Sequence, residues 1–371
     1  MSEFDVIVVG GGPAGAAAAT FCARRGWHVA LFEHARFPRH KVCGNVINPN
    51  CWPVLEHCGV AEKVQALPQF AVRGATFTAM DQSTLQIDRR TNDGRFTAIR
   101  RYQLDATLLE HARASGATVF EDDTIHGIEP GRAVVAHSGR YVARKGLVGA
   151  DGRHSIVAQA AGLARNVGRG NEYIAFQGHF PLPKAMDDRV QLHLFPGGYC
   201  GLVGMDGGCV NLCIVAGREH VRHRDDCPTL FAHTAGQNPH FRALGIVPEP
   251  VEALHCVHPV CLPANAPARD GIFLVGDALR VMEPFTGQGI FFALRTAELA
   301  VEAMGGSHRA EAAYAAAVAR FWRERARTNE WLRRLMYHER TARVVIRALR
   351  NRPWLTRPLA DNVLGEARRF R

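Results

Sequence analysis

The sequence predicts an α/β protein in which an antiparallel sheet is inserted into a Rossmann-like domain and a helical tail follows. Three observations support this class. A strand, a glycine-rich turn, a helix and a second strand occupy residues 4–33. Four strand-like runs follow one another at short intervals within residues 173–215, and arginines crowd residues 320–371. Alternating strand and helix patterns are typical of a sheet covered on both faces by helices.

The N-terminal unit carries a dinucleotide-binding pattern. An apolar run at 6–9 predicts a buried strand, and Gly10, Gly12 and Gly15 follow it in the spacing G-x-G-x-x-G. Such glycines permit a tight turn, a close backbone approach to a pyrophosphate and close packing of helix on strand. The positive N-terminus of the following helix, predicted over 14–25, then points at the phosphates.

The second strand, predicted over 27–32, ends on Glu33. An acid at this position accepts a hydrogen bond from a ribose hydroxyl, which favours FAD or NAD over NADP. Because the glycine pattern lies between two strands and is followed by this acid about twenty residues on, it predicts a dinucleotide site.

Composition sets the broad class of the protein. The 371 residues are 47% hydrophobic and 22% charged, which is typical of a globular protein of two or three domains. The sequence has no apolar run long enough to cross a bilayer and no signal-peptide pattern, so we expect a cytoplasmic location. The ten cysteines form no C-x-x-C pair, so we expect reduced thiols and no metal site.

The middle of the chain predicts an inserted sheet. Runs at 173–180, 190–195, 199–205 and 209–215 read as an antiparallel meander, and shorter strands are predicted at 76–79 and 85–88. A turn at Asp151-Gly152 precedes this region. A second turn, at Gly276-Asp277, follows it and leads through a glycine-rich loop into a helix over 290–304.

Together, the N-terminal pattern and these two turns resemble the FAD-binding signature of the flavoproteins that include p-hydroxybenzoate hydroxylase and geranylgeranyl reductase. Two segments are most similar to the geranylgeranyl reductase branch, which also contains flavin-dependent halogenases: FPRHKVCG at 37–44 and PFTGQGIFFAL at 284–294. The chain departs from that branch at Tyr199, where an aromatic-rich Y-x-W-x-F-P strand is replaced by YCGLVG, and the W-x-W-x-I-P stretch of tryptophan-type halogenases is absent.

The resemblance implies a non-covalently bound FAD as cofactor. The positions that match its cofactor contacts are Gly10, Gly12, Pro13, Ala14, Gly15, Glu33, His34, Lys41, Cys43, Gly44, Arg101, Asp151, Gly276, Asp277, Pro284, Gly287, Gln288, Gly289 and Ile290. Arg100 adjoins Arg101, which leaves the register of that contact open.

Three residues are predicted as candidates for catalysis. Cys43 lies in the loop that resembles a flavin-lining segment, and its cationic neighbours favour a reactive thiol. The alternative for Cys43 is simple packing, since free cysteine also behaves as a small buried hydrophobe. His193 and Tyr199 lie on strands of the inserted sheet, where packing is favoured over a place in the wall of a pocket.

The expected organisation is a discontinuous FAD-binding domain at 1–69, 101–165 and 263–319, a substrate-binding sheet at 70–100 and 166–262, and a basic helical segment at 320–371. The resemblance implies either a monooxygenase that hydroxylates an aromatic or polyketide-like hydrophobic molecule, narrowly favoured, or a reductase that saturates double bonds of a lipid or prenyl substrate. A non-catalytic flavin-binding redox module is a third alternative. No second glycine fingerprint is present, so NAD(P)H is expected only as a transient electron donor.

The tail carries fifteen arginines and five acidic residues, which equals the net charge of +10 of the whole chain. Apolar residues recur between the arginines at helical spacing. The sequence allows a helix packed across the FAD domain, a peripheral membrane contact or nucleic-acid binding. Nucleic acid is not expected, because no binding module is recognised and the cations are confined to one end.

Overall fold

The computed structural model describes residues 2–89, 93–165, 173–218, 221, 227–306, 308–350, 352 and 356. The strands are β1 (Ser2–Val9), β2 (Val29–Glu33), β3 (Val46–Ile47), β4 (Phe70–Ala71), β5 (Gly74–Thr78), β6 (Thr84–Asp88), β7 (Thr97–Ala98), β8 (Thr118–Glu121), β9 (Ile125–Glu129), β10 (Ala133–Ala136), β11 (Gly139–Gly149), β12 (Tyr173–Pro181), β13 (Arg189–Phe195), β14 (Gly198–Met205), β15 (Cys209–Gly217), β16 (His255–Val257), β17 (Ala268–Arg269) and β18 (Ile272–Leu274). The helices are α1 (Pro13–Ala23), α2 (Cys51–Cys58), α3 (Ala61–Gln65), α4 (Arg101–Ala114), α5 (Ile156–Ala160), α6 (Cys227–His233), α7 (Pro239–Ala243), α8 (Gly289–Gly306), α9 (Ala310–Tyr337) and α10 (Glu339–Leu349).

The nucleotide-binding half is built on a sheet of order β17-β18-β11-β1-β2-β8, with β10 and β9 extending from β11. Strand β1 pairs in parallel with both β11 and β2. Residues 6–9 of β1 are almost completely buried because helices cover both faces, as their uninterrupted apolar run predicts. The predicted α/β class with an inserted sheet is confirmed.

The inserted sheet has the order β16-β12-β15-β14-β13-β5-β6. Its central strands are antiparallel, as predicted, but β5 pairs in parallel with β13. The expectation of a purely antiparallel sheet is therefore wrong at this position. The cause is connectivity, because β5 and β13 are joined through the nucleotide-binding half rather than by a hairpin, and a long crossover permits parallel pairing.

The far face of this sheet is covered by α6 and α7, which the strand patterns did not predict. Phe231 of α6 contacts Phe180 of β12 and Phe241 of α7, with ring centroids 5.2 and 5.8 Å apart. The near face lies against the nucleotide-binding half, so the two faces of the sheet meet different partners.

The tail packs on both halves. Helix α9 begins at Ala310, ten residues before the predicted boundary of the tail, and the Tyr314 hydroxyl donates a hydrogen bond of 2.6 Å to the Leu274 carbonyl. Helix α10 lies against β6, with Ala342 and Ile346 buried. Within the described part of the chain, no helix has both the length and the apolar character required to cross a bilayer.

Candidate FAD site and substrate cavity

A cavity of about 610 Å³ lies between the two halves. Glu33, Asp277 and Gly287, which come from three distant motifs, all line it. Its nucleotide-binding wall includes the ends of β1 and β2, where ligands bind in open parallel sheets. The three predicted turns therefore converge on one space.

The first glycine turn is shaped by close backbone contacts. Gly10 has φ of +103°, and a Cβ there would lie 2.4 Å from the Ala150 carbonyl oxygen. A Cβ on Gly15 would lie 1.8 Å from the Gly10 carbonyl oxygen, so this glycine lets α1 pack on the turn. Gly12 lines the cavity, and its nearest neighbour in that direction is Nη2 of Arg39 at 3.6 Å. A larger side chain at 12 would enter the cradle for a pyrophosphate.

Glu33 is 2% exposed at the end of β2. Its Oε2 accepts a hydrogen bond of 2.7 Å from the Gly11 amide, and its Oε1 accepts one of 3.0 Å from the Ala35 amide. These bonds orient the carboxylate beside the glycine turn. The Nε of Arg39 is buried, has no hydrogen-bond partner among the described residues and lies 3.5 Å from Glu33 Oε1.

Four basic side chains face the cavity: Arg39, Lys41, Arg101 and Arg153. Burial lowers the pKa of Lys41, and the three arginine charges lower it further, although Asp277 opposes them. Burial also lowers the pKa of Arg153. Four cations at one wall fit a bound diphosphate, whose negative charge would stabilise the protonated forms of Lys41 and Arg153.

Arg101 is held by a buried carboxylate. Its Nε and Nη2 donate hydrogen bonds of 2.8 and 2.7 Å to the two oxygens of Asp105, which is fully buried. Burial opposes the charge on Arg101, but Asp105 and the Cys43 thiol together raise its pKa. Arg100 points elsewhere, to Asp206 at 3.1 Å. Of the two arginines, Arg101 faces the cavity and Arg100 does not.

The Gly276-Asp277 turn approaches α1 closely. Gly276 has φ of +56°, and a Cβ on it would lie 2.9 Å from the Ala14 Cβ. Its amide donates a hydrogen bond of 2.9 Å to the Thr296 hydroxyl, which fixes the turn on α8. Asp277 is thereby placed at the cavity wall.

The loop before α8 brings a helix N-terminus to the cavity. Gly287 is in the left-handed region, with φ of +60°, and both it and Gly289 line the cavity. A helix N-terminus directed at a flavin ring stabilises the negative charge of its reduced form.

Asp151 lines the cavity and also caps a helix. Its two oxygens accept hydrogen bonds of 2.6 Å from the Ser155 hydroxyl and 3.2 Å from the Val157 amide, at the start of α5. Burial raises its pKa despite these bonds. The residue holds the backbone at this wall in place.

Most predicted cofactor positions are brought together. Those that line the cavity are Gly10, Gly12, Pro13, Ala14, Glu33, His34, Lys41, Cys43, Gly44, Arg101, Asp151, Asp277, Pro284, Gly287, Gly289 and Ile290. Gly15, Gly276 and Gln288 do not line it. The first two permit close packing behind the wall, and Gln288 is buried immediately before α8.

His193 does not face the cavity. It is 2% exposed, its Nδ1 lies 2.8 Å from the Thr78 hydroxyl, and its Nε2 lies 3.1 Å from Gln191 Oε1. Its neighbours on β13, Val190 and Leu192, line the cavity instead. The prediction of His193 as a candidate for catalysis in the pocket is corrected, and the packing alternative describes it, because side chains alternate along a strand and His193 belongs to the set that faces away from the cavity.

Tyr199 and Cys43 do line the cavity. Tyr199 is 2% exposed, and its hydroxyl makes no hydrogen bond among the described residues. Burial raises the pKa of this phenol well above its usual range, and the nearby Glu283 adds to the shift. The Cys43 carbonyl accepts a hydrogen bond of 3.2 Å from Asn211 on β15, which ties the 37–44 loop to the inserted sheet.

The inserted sheet supplies an apolar wall. Its lining residues are Ala75, Phe96, Ala175, Val190, Leu192, Tyr199, Gly201, Leu202, Val203, Asn211, Cys213, Val215, Val257 and Val260. Within the described parts of 70–100 and 166–262, this lining contains no Lys, Arg, His, Asp or Glu. Every basic residue at the cavity belongs to the nucleotide-binding half.

Sequence reasoning assigned no cofactor role to Arg39, Arg153, Asn211 and Cys213, which all line the cavity. Arg39 had a detectable signal, since it lies two residues before Lys41 in the same basic loop. Asn211 and Cys213 alternate with apolar residues on β15, but that pattern does not reveal which face meets the other half.

These features fit the cofactor that the sequence implies. The Gly12 cradle, the oriented Glu33 carboxylate and the cationic group around Lys41 suit the ribose and diphosphate of a dinucleotide, and a helix N-terminus lies at the same cavity. The fold and site define a dinucleotide-binding flavoprotein. The chain belongs to the family described as FAD binding domain, whose model matches residues 3–189.

Two relatives align over 81% of this chain. Menaquinone reductase of Mycolicibacterium smegmatis is 28% identical over 318 residues, which cover 76% of that protein. Digeranylgeranylglycerophospholipid reductase 2 of Methanopyrus kandleri is 27% identical over 315 residues, also 76% of that protein.

A solved structure shares the fold. PqsL, a probable FAD-dependent monooxygenase from Pseudomonas aeruginosa, superposes with a TM-score of 0.73 over 93% of this chain and all of that one, at 19% identity. The resemblance stated from the sequence is confirmed at the level of the superfamily. The protein is an FAD-dependent oxidoreductase.

Proposed function

We propose that the protein is a reductase that saturates carbon–carbon double bonds in an isoprenoid lipid. The observation that carries this proposal is the wall supplied by the inserted sheet, which is largely apolar and lacks charged side chains and histidine among its described lining residues. An uncharged, flexible hydrocarbon chain fits such a wall, because burial of apolar surface supplies its binding energy without polar partners.

The two aligned relatives support the same substrate class. Both are named as reductases of lipids, a menaquinone and a digeranylgeranylglycerophospholipid. Each alignment covers 81% of this chain, so it extends well beyond the nucleotide-binding residues at the N-terminus.

The chain's own residues would supply a proton. Bound FAD would supply the hydride for one carbon of the double bond, so the other carbon needs a protonated donor. Burial raises the pKa of Cys213 to about 12 and that of Tyr199 well above its usual range, so both groups carry a proton at neutral pH. Cys43 is a third candidate, since it lines the same cavity. We assign proton delivery to this group of three.

We propose NAD(P)H as a transient electron donor, because the chain has one glycine fingerprint, which FAD would occupy, and no second one to hold a nicotinamide dinucleotide. Anaerobic mixing with NADH and NADPH in turn, followed by the loss of flavin absorbance, tests this assignment. A donor that bleaches the flavin within the turnover time supports it. If neither does so, a protein electron carrier is required.

A monooxygenase remains the second candidate on two observations. The aromatic strand of the reductase branch is replaced at Tyr199, which led the sequence analysis to favour oxygenation. In addition, burial raises the pKa of Glu283, a carboxyl at the cavity wall, which suits a base that accepts a proton from a phenol.

Anaerobic single turnover separates the two candidates. The protein is reduced without oxygen and mixed with menaquinone or a geranylgeranyl lipid, and the products are analysed by mass spectrometry. Addition of two hydrogens to the isoprenoid chain supports the reductase. If no lipid is hydrogenated, and an aromatic compound gains an oxygen atom once oxygen is admitted, the reductase assignment fails.

A matched pair of variants tests the proton donor. Cys213→Ala removes a thiol from the cavity wall, whereas Cys209→Ala changes the same strand outside the cavity. We expect slower hydrogenation in the first variant and unchanged hydrogenation in the second. Equal rates of hydrogenation in the two variants would show that Cys213 does not deliver the proton.

A further inference from the structure

The outer face of α10 carries a row of arginines. Arg340, Arg343, Arg347 and Arg350 are spaced by three, four and three residues, so they share one face over about 15 Å of helix. Arg340, Arg347 and Arg350 are exposed, and Arg343 is half-buried. The helix contains one acidic residue, Glu339, in its first turn.

An apolar side chain lies within this basic face. Val344 is 66% exposed, the most exposed of the large hydrophobic residues in the described chain, and it sits one helical turn from both Arg340 and Arg347. The opposite face is occupied, because Ala342 and Ile346 are buried and Val345 and Leu349 pack against the same apolar cluster of the inserted sheet. Helix α10 is therefore anchored by one face and presents the other outward.

Two features identify the partner of this surface. Outside residues 320–371 the acidic and basic residues balance, so the positive charge of the chain is concentrated in the tail. The outer face also combines cations with an exposed aliphatic side chain, which fits the anionic headgroup layer of a membrane better than the purely polar backbone of a nucleic acid.

We propose that the outer face of α10 is a docking surface for an anionic lipid membrane. Arg340, Arg343 and Arg350 contact lipid headgroups, whereas Arg347 is paired with Asp81. Val344 enters the boundary between headgroups and acyl chains. Because α10 packs on β6 of the sheet that lines the cavity, docking would hold the substrate-binding half at the membrane. The role of docking in substrate access rests on the proposed lipid substrate, whereas membrane binding itself does not.

Sedimentation with vesicles tests the proposal without turnover. The holoenzyme is mixed with phosphatidylcholine vesicles that either contain or lack 30% phosphatidylglycerol. We expect binding to the anionic vesicles, little binding to the neutral ones, and release at high salt. The triple variant Arg340→Gln, Arg343→Gln, Arg350→Gln should lower affinity on the order of a hundredfold. It retains Arg347, which forms an ion pair of 2.6 Å with Asp81.

A control variant with the same loss of charge distinguishes binding through the outer face of α10 from a general effect of net charge. The variant Arg25→Gln, Arg36→Gln, Arg242→Gln removes three exposed arginines from other surfaces. We expect its affinity to stay within about twofold of wild type. Equal losses in the two triple variants would overturn the proposal.

Val344→Asn tests for insertion at constant charge. We expect several-fold weaker vesicle binding and unchanged binding to a DNA duplex. An unchanged vesicle affinity, or tighter binding to DNA than to anionic vesicles at equal salt, would overturn the membrane assignment. Failure of the lipid-reductase proposal would appear instead as absent hydrogenation with vesicle binding intact.

Discussion

The Tyr337 hydroxyl donates a hydrogen bond of 3.0 Å to Glu283 Oε2 and so joins the last residue of α9 to the cavity wall. The Tyr337 ring also packs on Tyr173, with centroids 4.1 Å apart, and approaches Tyr199 at 6.1 Å. The tail thus contributes a residue that contacts the wall of the substrate compartment. A change to Tyr337 should therefore affect the cavity wall through Glu283 and through the Tyr199 ring.

Tyr337→Phe should shift the titration of Glu283 upward. Burial raises the pKa of Glu283, and the hydrogen bond from Tyr337 acts in the opposite direction, so its loss raises that pKa further. The ring packing is retained in the variant. Besides burial, ionised Glu283 raises the pKa of the Tyr199 phenol, one of the proposed proton donors, so the pH dependence of single-turnover hydrogenation, measured between pH 5 and 9, should move to higher pH. In a Glu283→Gln background the same substitution should produce no shift, and a shift that persists there would contradict this assignment.

Asp105→Leu should be strongly destabilising, because it leaves Arg101 buried without its carboxylate. Removal of one partner of a buried pair costs about 3–5 kcal/mol. The double variant Arg101→Leu, Asp105→Leu should recover part of this loss, since no charge is left unpaired. Urea unfolding of the two single variants and the double variant measures the coupling. A double variant whose loss equals the sum of the single losses would show that the pair is not coupled.

His193→Leu should lower stability without changing turnover. The variant removes the hydrogen bonds of His193 with the Thr78 hydroxyl and with Gln191 Oε1, at a cost of about 1–3 kcal/mol. Tyr199→Phe, on the cavity face of the adjacent β14, provides the comparison and should slow hydrogenation. A large fall in turnover for His193→Leu, with stability intact, would restore a catalytic role.

The same histidine predicts a pH dependence of stability. Burial lowers the pKa of His193 to about 3, from an ordinary value of 6.5. Between these two pH values the unfolded chain binds a proton at His193 that the folded protein does not. The contribution of His193 to the free energy of unfolding is therefore complete above pH 6.5 and is lost as the pH falls towards 3. The stability difference between wild type and His193→Leu should therefore narrow below pH 6.5. A difference that stays constant would contradict the buried neutral state.

The sequence predicted well which glycines and acids meet at the cavity, because its signals are local. The spacing of Gly10, Gly12 and Gly15 and the acid at Glu33 depend on a single strand–helix–strand unit, and the resemblance supplied the other two turns. The features that could not be predicted are contacts between residues far apart in the sequence. The parallel pairing of β5 with β13 and the bond from Tyr337 to Glu283 join segments that no local pattern relates.

The pattern of residues around His193 contains information about which way its side chain faces. Along Arg189–Phe195, polar and apolar residues alternate, and His193 shares the phase of Arg189 and Gln191. The apolar residues of the alternation form the cavity wall, so Val190 and Leu192 face the cavity. The alternation shows that β13 has two different faces. Which of them lines the cavity depends on how the inserted sheet packs on the nucleotide-binding half, and that is not visible in the sequence.

FAD titration of wild type against two valine variants tests the central claim, that the glycine turns, Glu33 and Asp277 hold one flavin in one cavity. Gly12→Val places a side chain in the cradle, whereas Gly127→Val lies on β9 with no atom within 4 Å of the added Cβ. We predict one FAD per chain for wild type and Gly127→Val, and at least about tenfold weaker binding for Gly12→Val, which corresponds to about 1.4 kcal/mol. Wild-type protein that does not bind FAD, or a Gly12→Val variant that binds it as tightly as wild type, would contradict the claim.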